Sequence, residues 1–312
     1  MSGPVGAADA PPEPGGSGAL VDGVSADVVE VTDSREAMVG TTRVRRALPR
    51  RGRRTVGAWC FADHMGPEQV SETSGLEIGP HPHMGLHTVT WLVEGAVLHR
   101  DSLGSEQVIR PGQLNLMTAG RGVAHAEEAV DSYRGTLHGV QLWVAQPAAT
   151  RDGAAAFEHH PDLPQVEFGS AVATVLVGEL AGVASPARQD TSLVGADLTV
   201  RPGATSWPLR PDFEHALVVL SGEVAVAEQV VRPGQLGYLG LRRDSLDLTA
   251  LEQSRVLLLG GEPFGEQLVM WWNFVARTKE ELAQARTQWA TYDERFGEVA
   301  SSLPRIAAPP AL

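Results

Sequence analysis

The chain has 312 residues, 43% of them hydrophobic and only 5% aromatic, with 34 glycines and 21 prolines. That length suits two domains of ordinary size, and that much glycine and proline suits many short strands joined by tight turns. Thirty-eight acidic against 25 basic side chains leave a net charge of −13, which repels phosphate backbones and excludes direct nucleic-acid binding as the main role. Cys60 is the only cysteine, so no intrachain disulfide forms and a reducing compartment is expected. The N-terminus lacks a basic region followed by an apolar run, and no stretch reaches membrane-spanning length. These features together predict a cytoplasmic protein with no membrane partner.

In chain order, residues 1–22 are mostly Gly, Ala, Pro and Ser and bury too little surface to offset the entropy of ordering. They are expected to be disordered. Val28–Val31 reads as a first strand. Residues 43–54 hold seven arginines; such a run is either an anion- or partner-binding strip or, as is usual, a solvated loop. Thr88–Val93 is a rich β segment ended by Gly95. Ala96–His99, Leu114–Met117 and Leu137–Val144 read as further strands, with turn residues at Asp101–Ser105 and Pro111-Gly112. Strands at this spacing without intervening helices imply an all-β sandwich or barrel. Thr278 with Glu281 forms a capping-box pattern. Leu282, Ala285, Trp289, Tyr292 and Phe296 follow at helical spacing, and Gly297 marks a stop.

Arg110–Leu114 and Arg232–Leu236 both read Arg-Pro-Gly-Gln-Leu. The strand Ala216–Leu220 matches Thr88–Val93 in the same way, so the chain is an internal duplication of about a hundred residues. The expected plan is a disordered tail over 1–22, a metal-binding lobe over 23–150 and a degenerate copy over 151–276. A helix over 277–297 and a flexible tail over 298–312 complete it.

Only the first copy carries chemistry. His81 and His83 are two apart, so on a strand both imidazoles share a face; Pro82 between them suggests an edge or strand start. His125 and Glu127 have the same spacing. Two such pairs on neighbouring strands predict three neutral nitrogens and one carboxylate around one divalent ion. An octahedral ion would keep two open positions and enough positive charge to attract an enolate or phenolate. The donor set suits iron, nickel, copper, manganese or zinc without selecting among them. The second copy places Pro208 and Arg210 opposite His81 and His83, with no His-x-Glu pair.

The segment Phe61–Pro67, His81–Gly85, the run from His99 to Gly104, Met117–Gly122 and His125–Glu127 together resemble the pirin family of bicupins. The resemblance spans about Val28 to Gly297. It implies an all-β fold of two tandem antiparallel β-barrel cupin domains with a short C-terminal helix, the metal lying in the first. It also implies His81, His83, His125 and Glu127 as metal ligands, most simply of Fe(II). His87 departs from the Glu common in the family, which points to an altered environment around the ion rather than a lost site. His64 is expected to order the turn over the site, and His138 to reach a position just behind the ligands. His99 reads as a structural residue before a hairpin turn. His159, His160 and His215 have no partner at ligand spacing, and Cys60, beside Trp59 and Phe61, reads as core.

Two functions follow from the resemblance. One is a flavonol dioxygenase that opens quercetin with molecular oxygen, with Glu127 remaining a ligand or taking the hydroxyl proton. The other is a metal- or redox-dependent regulator that binds a transcription factor or a metabolic enzyme. Either role is expected of a monomer.

Overall fold

The structure, a computed structural model, describes residues 28–40, 42–71, 76–130 and 133–310. The segment expected to be disordered, 1–22, lies outside them. Among the described residues there are twenty-five strands and one α-helix. The first lobe pairs a seven-stranded sheet with a four-stranded one; the second pairs an eight-stranded sheet with another four-stranded one. The strand orders of the two lobes match position by position, which is the duplication seen in the repeated pentapeptide.

The lobes exchange strands. Glu30–Asp33, near the start of the chain, pairs with Gln235–Gly240 in the second lobe. Ala156–His160, from the second half of the sequence, pairs with Leu114–Thr118 in the first. Each repeated Arg-Pro-Gly-Gln-Leu therefore leads into a strand that is flanked by a strand from the other half. A single boundary near residue 150 does not describe this arrangement, because the last strand of each main sheet comes from beyond its own repeat.

The lobes meet through a shared apolar core that includes Ala62, Trp91 and Leu142 from the first and Leu193, Val218 and Leu257 from the second. Trp59 is central to it. Its indole N–H donates to the carbonyls of both Val194 (3.0 Å) and Gly260 (3.1 Å). The ring lies so close to Gly195 that a Cβ there would sit 2.6 Å from it. The glycine is thus a packing requirement of the interface.

The arginine run is not a solvated loop throughout. Thr42–Leu48 is a strand, and Arg46 on it is 1% exposed, bound through two nitrogens to the fully buried Asp63. Arg45 reaches the Gly66 carbonyl, and Arg53 pairs with Glu30 and covers the Tyr238 ring. Arg43 stays in the exposed ion pair with Glu36. The run is divided between core, interface and surface because alternate residues of a strand face opposite ways.

In the second lobe, the positions that correspond to the candidate ligands are filled by core. On its small sheet, Trp207 pairs with Leu246 and Thr205 with Leu248; Trp207, Leu246, Leu248 and Ala250 all belong to the lobe's hydrophobic core. By strand face these stand where the first lobe has His83, Val123, His81, His125 and Glu127. Pro208 and Arg210 are exposed, so a constant sequence offset misplaces the correspondence by about three residues. The turns after the two strands differ in length, residues 84–85 against 209–213, and inward-facing positions follow the ladder rather than the offset.

The helix runs from Lys279 to Ala290, capped by the Thr278 side chain, which accepts from the Glu281 N–H. It is shorter than the sequence pattern suggests. Leu282, Ala285 and Trp289 are buried, but Tyr292 lies past the end in the left-handed region at φ +58° and is 74% exposed. Phe296 is buried from outside the helix. The Glu281 carboxylate accepts from the Arg277 N–H, one residue earlier than a capping box requires, and holds Arg151.

The segment after residue 297, expected to be a flexible tail, docks instead. Trp289 donates to the Ile306 carbonyl at 2.8 Å, Arg305 stacks on Trp289, and the Ile306 N–H donates to Pro80. That last bond covers the edge strand that carries His81 and His83.

Gly195→Ala should destabilise the protein by about 1–3 kcal/mol, the usual cost of overpacking a filled core. Urea denaturation followed by tryptophan fluorescence measures it, and unchanged stability would show that the lobe interface yields around Trp59.

Candidate metal centre

Two short strands build the site. Ile78–His83 and Val123–Ala129 are antiparallel, with His81 opposite His125 and His83 opposite Val123. Ile78–His83 is the edge strand of its sheet, which is where Pro82 can be accommodated without losing a ladder bond. All three histidines project into the barrel and are 1% exposed. Their candidate ligand atoms lie within 4.8 Å of one another.

Ring orientation settles which nitrogens face inward. His81 Nδ1 donates to the Gly79 carbonyl at 2.9 Å, leaving a buried Nε2 with no protein partner. His83 and His125 bring their Nε2 atoms to 3.0 Å. His125 Nδ1 lies 3.4 Å from His99 Nδ1, and His99 Nε2 lies 3.0 Å from Asp101 Oδ2. A carboxylate can only accept, so His99 donates from Nε2. With its Nδ1 as the acceptor, His99 receives the His125 Nδ1 proton, and the His125 Nε2 is left as a lone pair facing His83. Asp101 is itself held by the N–H groups of Leu103 and Ser105. Burial works to raise its pKa, but the bonds from His99 and Ser105 outweigh that and hold the carboxyl below its usual range.

Three buried imidazoles on one point, with the His81 Nε2 left without a protein partner, are costly in an apolar wall unless a cation joins them. The three-histidine group therefore fits a metal ion, and the chain that fixes the His125 tautomer is the support metal-bound histidines normally have. Apolar rings complete the enclosure. Trp143 stands edge-on to His83 at 5.3 Å, and Phe157 stacks on His99 at 4.4 Å. Phe157 lies on the strand contributed by the second half of the chain, so the strand exchange reaches the site.

Glu127 is buried on the same strand, 1% exposed. The ladder slips between His125 and Glu127, and the carboxylate is not part of the group gathered within 4.8 Å. The structure thus assembles three of the four expected ligands and leaves the fourth nearby.

The residues expected just behind the ligands lie elsewhere. His64 and His138 bind each other, Nε2 to Nε2 at 2.9 Å. Their neighbours on the same sheet face, Ala62 and Val140, belong to the core between the lobes. Burial, then the nearby charges of Arg45 and His138, holds His64 well below the ordinary histidine range. His87 bonds Thr118 at 2.9 Å and reaches Asp190 of the second lobe at 3.1 Å. It ties the halves together rather than turning toward the triad. His99 and Asp101 take the role expected of these three. The clue in the sequence was a third i, i+2 polar pair, on a hairpin longer than its copy in the second lobe (Val97–Asp101 against Val224–Val226). Cys60 is fully buried, its thiol pushed up to about 12 chiefly by burial, and is core as expected.

Comparison with known proteins agrees with the fold. Residues 41–144 match the Pirin family model and 195–297 the model of the pirin C-terminal cupin domain. A Pseudomonas aeruginosa protein whose name provisionally assigns it as a quercetin 2,3-dioxygenase is 49% identical over 87% of this chain and 86% of its own. A crystal structure described as quercetin 2,3-dioxygenase from Acinetobacter baumannii superposes with a TM-score of 0.88 at 44% identity, covering 90% of this chain and 95% of that one. The fold is also that of a bacterial pirin from Escherichia coli solved in complex with nickel(II), with a TM-score of 0.61 at 16% identity over 76% of this chain and all of that one. Two cupin lobes, a histidine triad in the first and a core-filled second make this chain a member of the pirin family.

Proposed function

We propose that the protein is a metal-dependent dioxygenase acting on flavonols such as quercetin, with the ion held by His81, His83 and His125. The convergence of three buried imidazoles on one point carries this reading, and the names of the close relatives support the substrate class. When bound, a divalent cation supplies Lewis-acid attraction for a deprotonated hydroxyl and a template for orienting it. Fe(II) is the first candidate; nickel, copper, manganese and zinc suit the same donors.

The chain's own residues supply the rest. Gly79 and the His99–Asp101 pair fix the tautomers of His81 and His125 before any ligand arrives. Trp143, edge-on to His83, belongs to an apolar cluster with Leu86 and Met117 and would give flat aromatic rings an apolar neighbour. Glu127 is the fourth ligand or, displaced from that position, the base that takes the hydroxyl proton. Complete burial of the triad also favours the second reading, a regulator in which the ion tunes binding to a protein partner, because a closed ion needs no substrate access.

His81→Ala separates the two. In a dioxygenase it should abolish both metal retention and oxygen uptake with quercetin. Metal-loaded wild-type protein that takes up no oxygen under any of the five metals would favour the regulator.

His99→Ala should weaken metal binding about 10- to 100-fold while leaving the fold intact, measured by competition with a chromophoric chelator. Equal affinity would mean that His125 needs no external support.

The metal-free protein should also be acid-labile. Burial first, then mutual repulsion, lowers His83 and His125 well below the ordinary range; burial lowers His81 to about 3. The unfolded chain therefore binds protons that the folded one refuses. Stability is full above about pH 6.5 and falls as pH drops, by about 1.4 kcal/mol per pH unit for each such histidine. Chemical denaturation of metal-free protein from pH 7.5 to 5 tests this, and a flat profile would contradict the neutral triad.

A further inference from the structure

The hairpin formed by Val269–Trp271 and Phe274–Ala276 turns through two residues, Trp272 and Asn273. It is seated directly on the strand end that carries His83. Met84 bridges to Phe274, and the Val275 N–H donates to the Met84 carbonyl at 3.1 Å. Gly85, at φ +72°, permits this approach: a Cβ there would lie 2.2 Å from the Val275 carbonyl oxygen. Asn273 directly precedes Phe274, so the turn sits at the His83 end of that strand.

The two faces of the hairpin differ. Trp271, Phe274 and Ala276 pack outward with the C-terminal helix. Met270 and Val275 pack inward with Leu86, Met117 and Trp143, and Trp143 is the ring edge-on to His83. Asn273 is the turn residue next to Phe274, two positions before the inward-packing Val275. It is completely buried, yet neither its amide nitrogen nor its amide oxygen has a partner. Buried amides are seldom left unpaired. The turn is also strained, with Trp272 at φ +54°, a region a bulky residue rarely adopts. Strain of this kind persists where surrounding packing over-determines it, often at ligand sites. Here the Trp272 ring is clamped among Trp271, Phe274 and Trp289.

We propose that the Asn273 carboxamide is a ligand-binding group of the metal centre, donating a hydrogen bond to an anionic ligand, such as an enolate or phenolate oxygen, held at the ion's exchangeable position. This rests on the metal-centre reading above and deepens it, by naming the protein group that recognises the ligand alongside the ion. An apolar residue of the same shape would fill the space and satisfy the fold better, so the amide is kept for the ligand.

Asn273→Leu tests this in the full-length protein loaded with cobalt(II). The visible spectrum is followed on titration with azide and, without oxygen, with quercetin. The variant should bind cobalt with wild-type stoichiometry, and its metal-free form should melt no lower than wild type. Its affinity for both probes should fall about 10- to 100-fold, the usual effect of losing a hydrogen bond to a charged group. A lower melting point with both affinities within twofold of wild type would overturn the proposal and make the amide a structural group. If quercetin fails to bind even wild type while the azide effect persists, the flavonol reading falls and Asn273 keeps its role. Should Asn273→Leu not fold, Asn273→Ser is read in the same way, with unchanged azide affinity overturning the assignment.

Discussion

Three basic side chains are held in one apolar enclosure without their protons, and the rest of the first lobe serves that constraint. A solvated imidazole would readily gain charge near neutral pH. In this barrel, burial makes the charged form of His81, His83 and His125 unfavourable, and each ring makes it harder for the next to be protonated. The result is a cluster of neutral rings in which at least the His81 Nε2 has no protein partner. A cation is the remedy the chemistry allows, and the surrounding groups are arranged for it: a main-chain carbonyl behind His81, and an imidazole and carboxylate in series behind His125.

Duplication explains how such a site is supported. The second lobe keeps the same strand order but puts tryptophan, leucine and alanine on the faces where the first has ligands. It gives up a polar interior and gains a complete core. That core extends into the interface through Trp59 and its two carbonyl acceptors in the second lobe. The exchange of strands goes further, because Phe157 from beyond the repeat boundary stacks on His99. The hairpin around Asn273, also from the second half, seats on the strand end that carries His83. The metal centre belongs to the first lobe by its ligands and to the whole chain by its walls.

Much of this was legible from local pattern. Residues two apart on a strand share a face whatever the fold, so His81 with His83 could be read as a pair directly. The lone cysteine, the Thr278 cap and the repeated pentapeptide were local in the same sense. The errors share one cause. The second-lobe counterparts were sought at a constant offset, but hairpins of unequal length shift the register. His64 and His138 were taken for neighbours of the ion and His99 for a bystander. Which side of the sheet a histidine faces depends on pairings with strands far away in sequence.

The sequence by itself determined the β architecture, its duplication and the identity of the ligand histidines, because alternation along a strand and a repeated motif are properties of short stretches. Tertiary structure alone decided which groups stand behind those ligands, which lobe each terminal strand joins, and that an asparagine 190 residues after His83 lies beside it. Those outcomes depend on ladder register, bulges and the docking of distant hairpins. Such features are fixed only when non-local strands pair and bury their faces together.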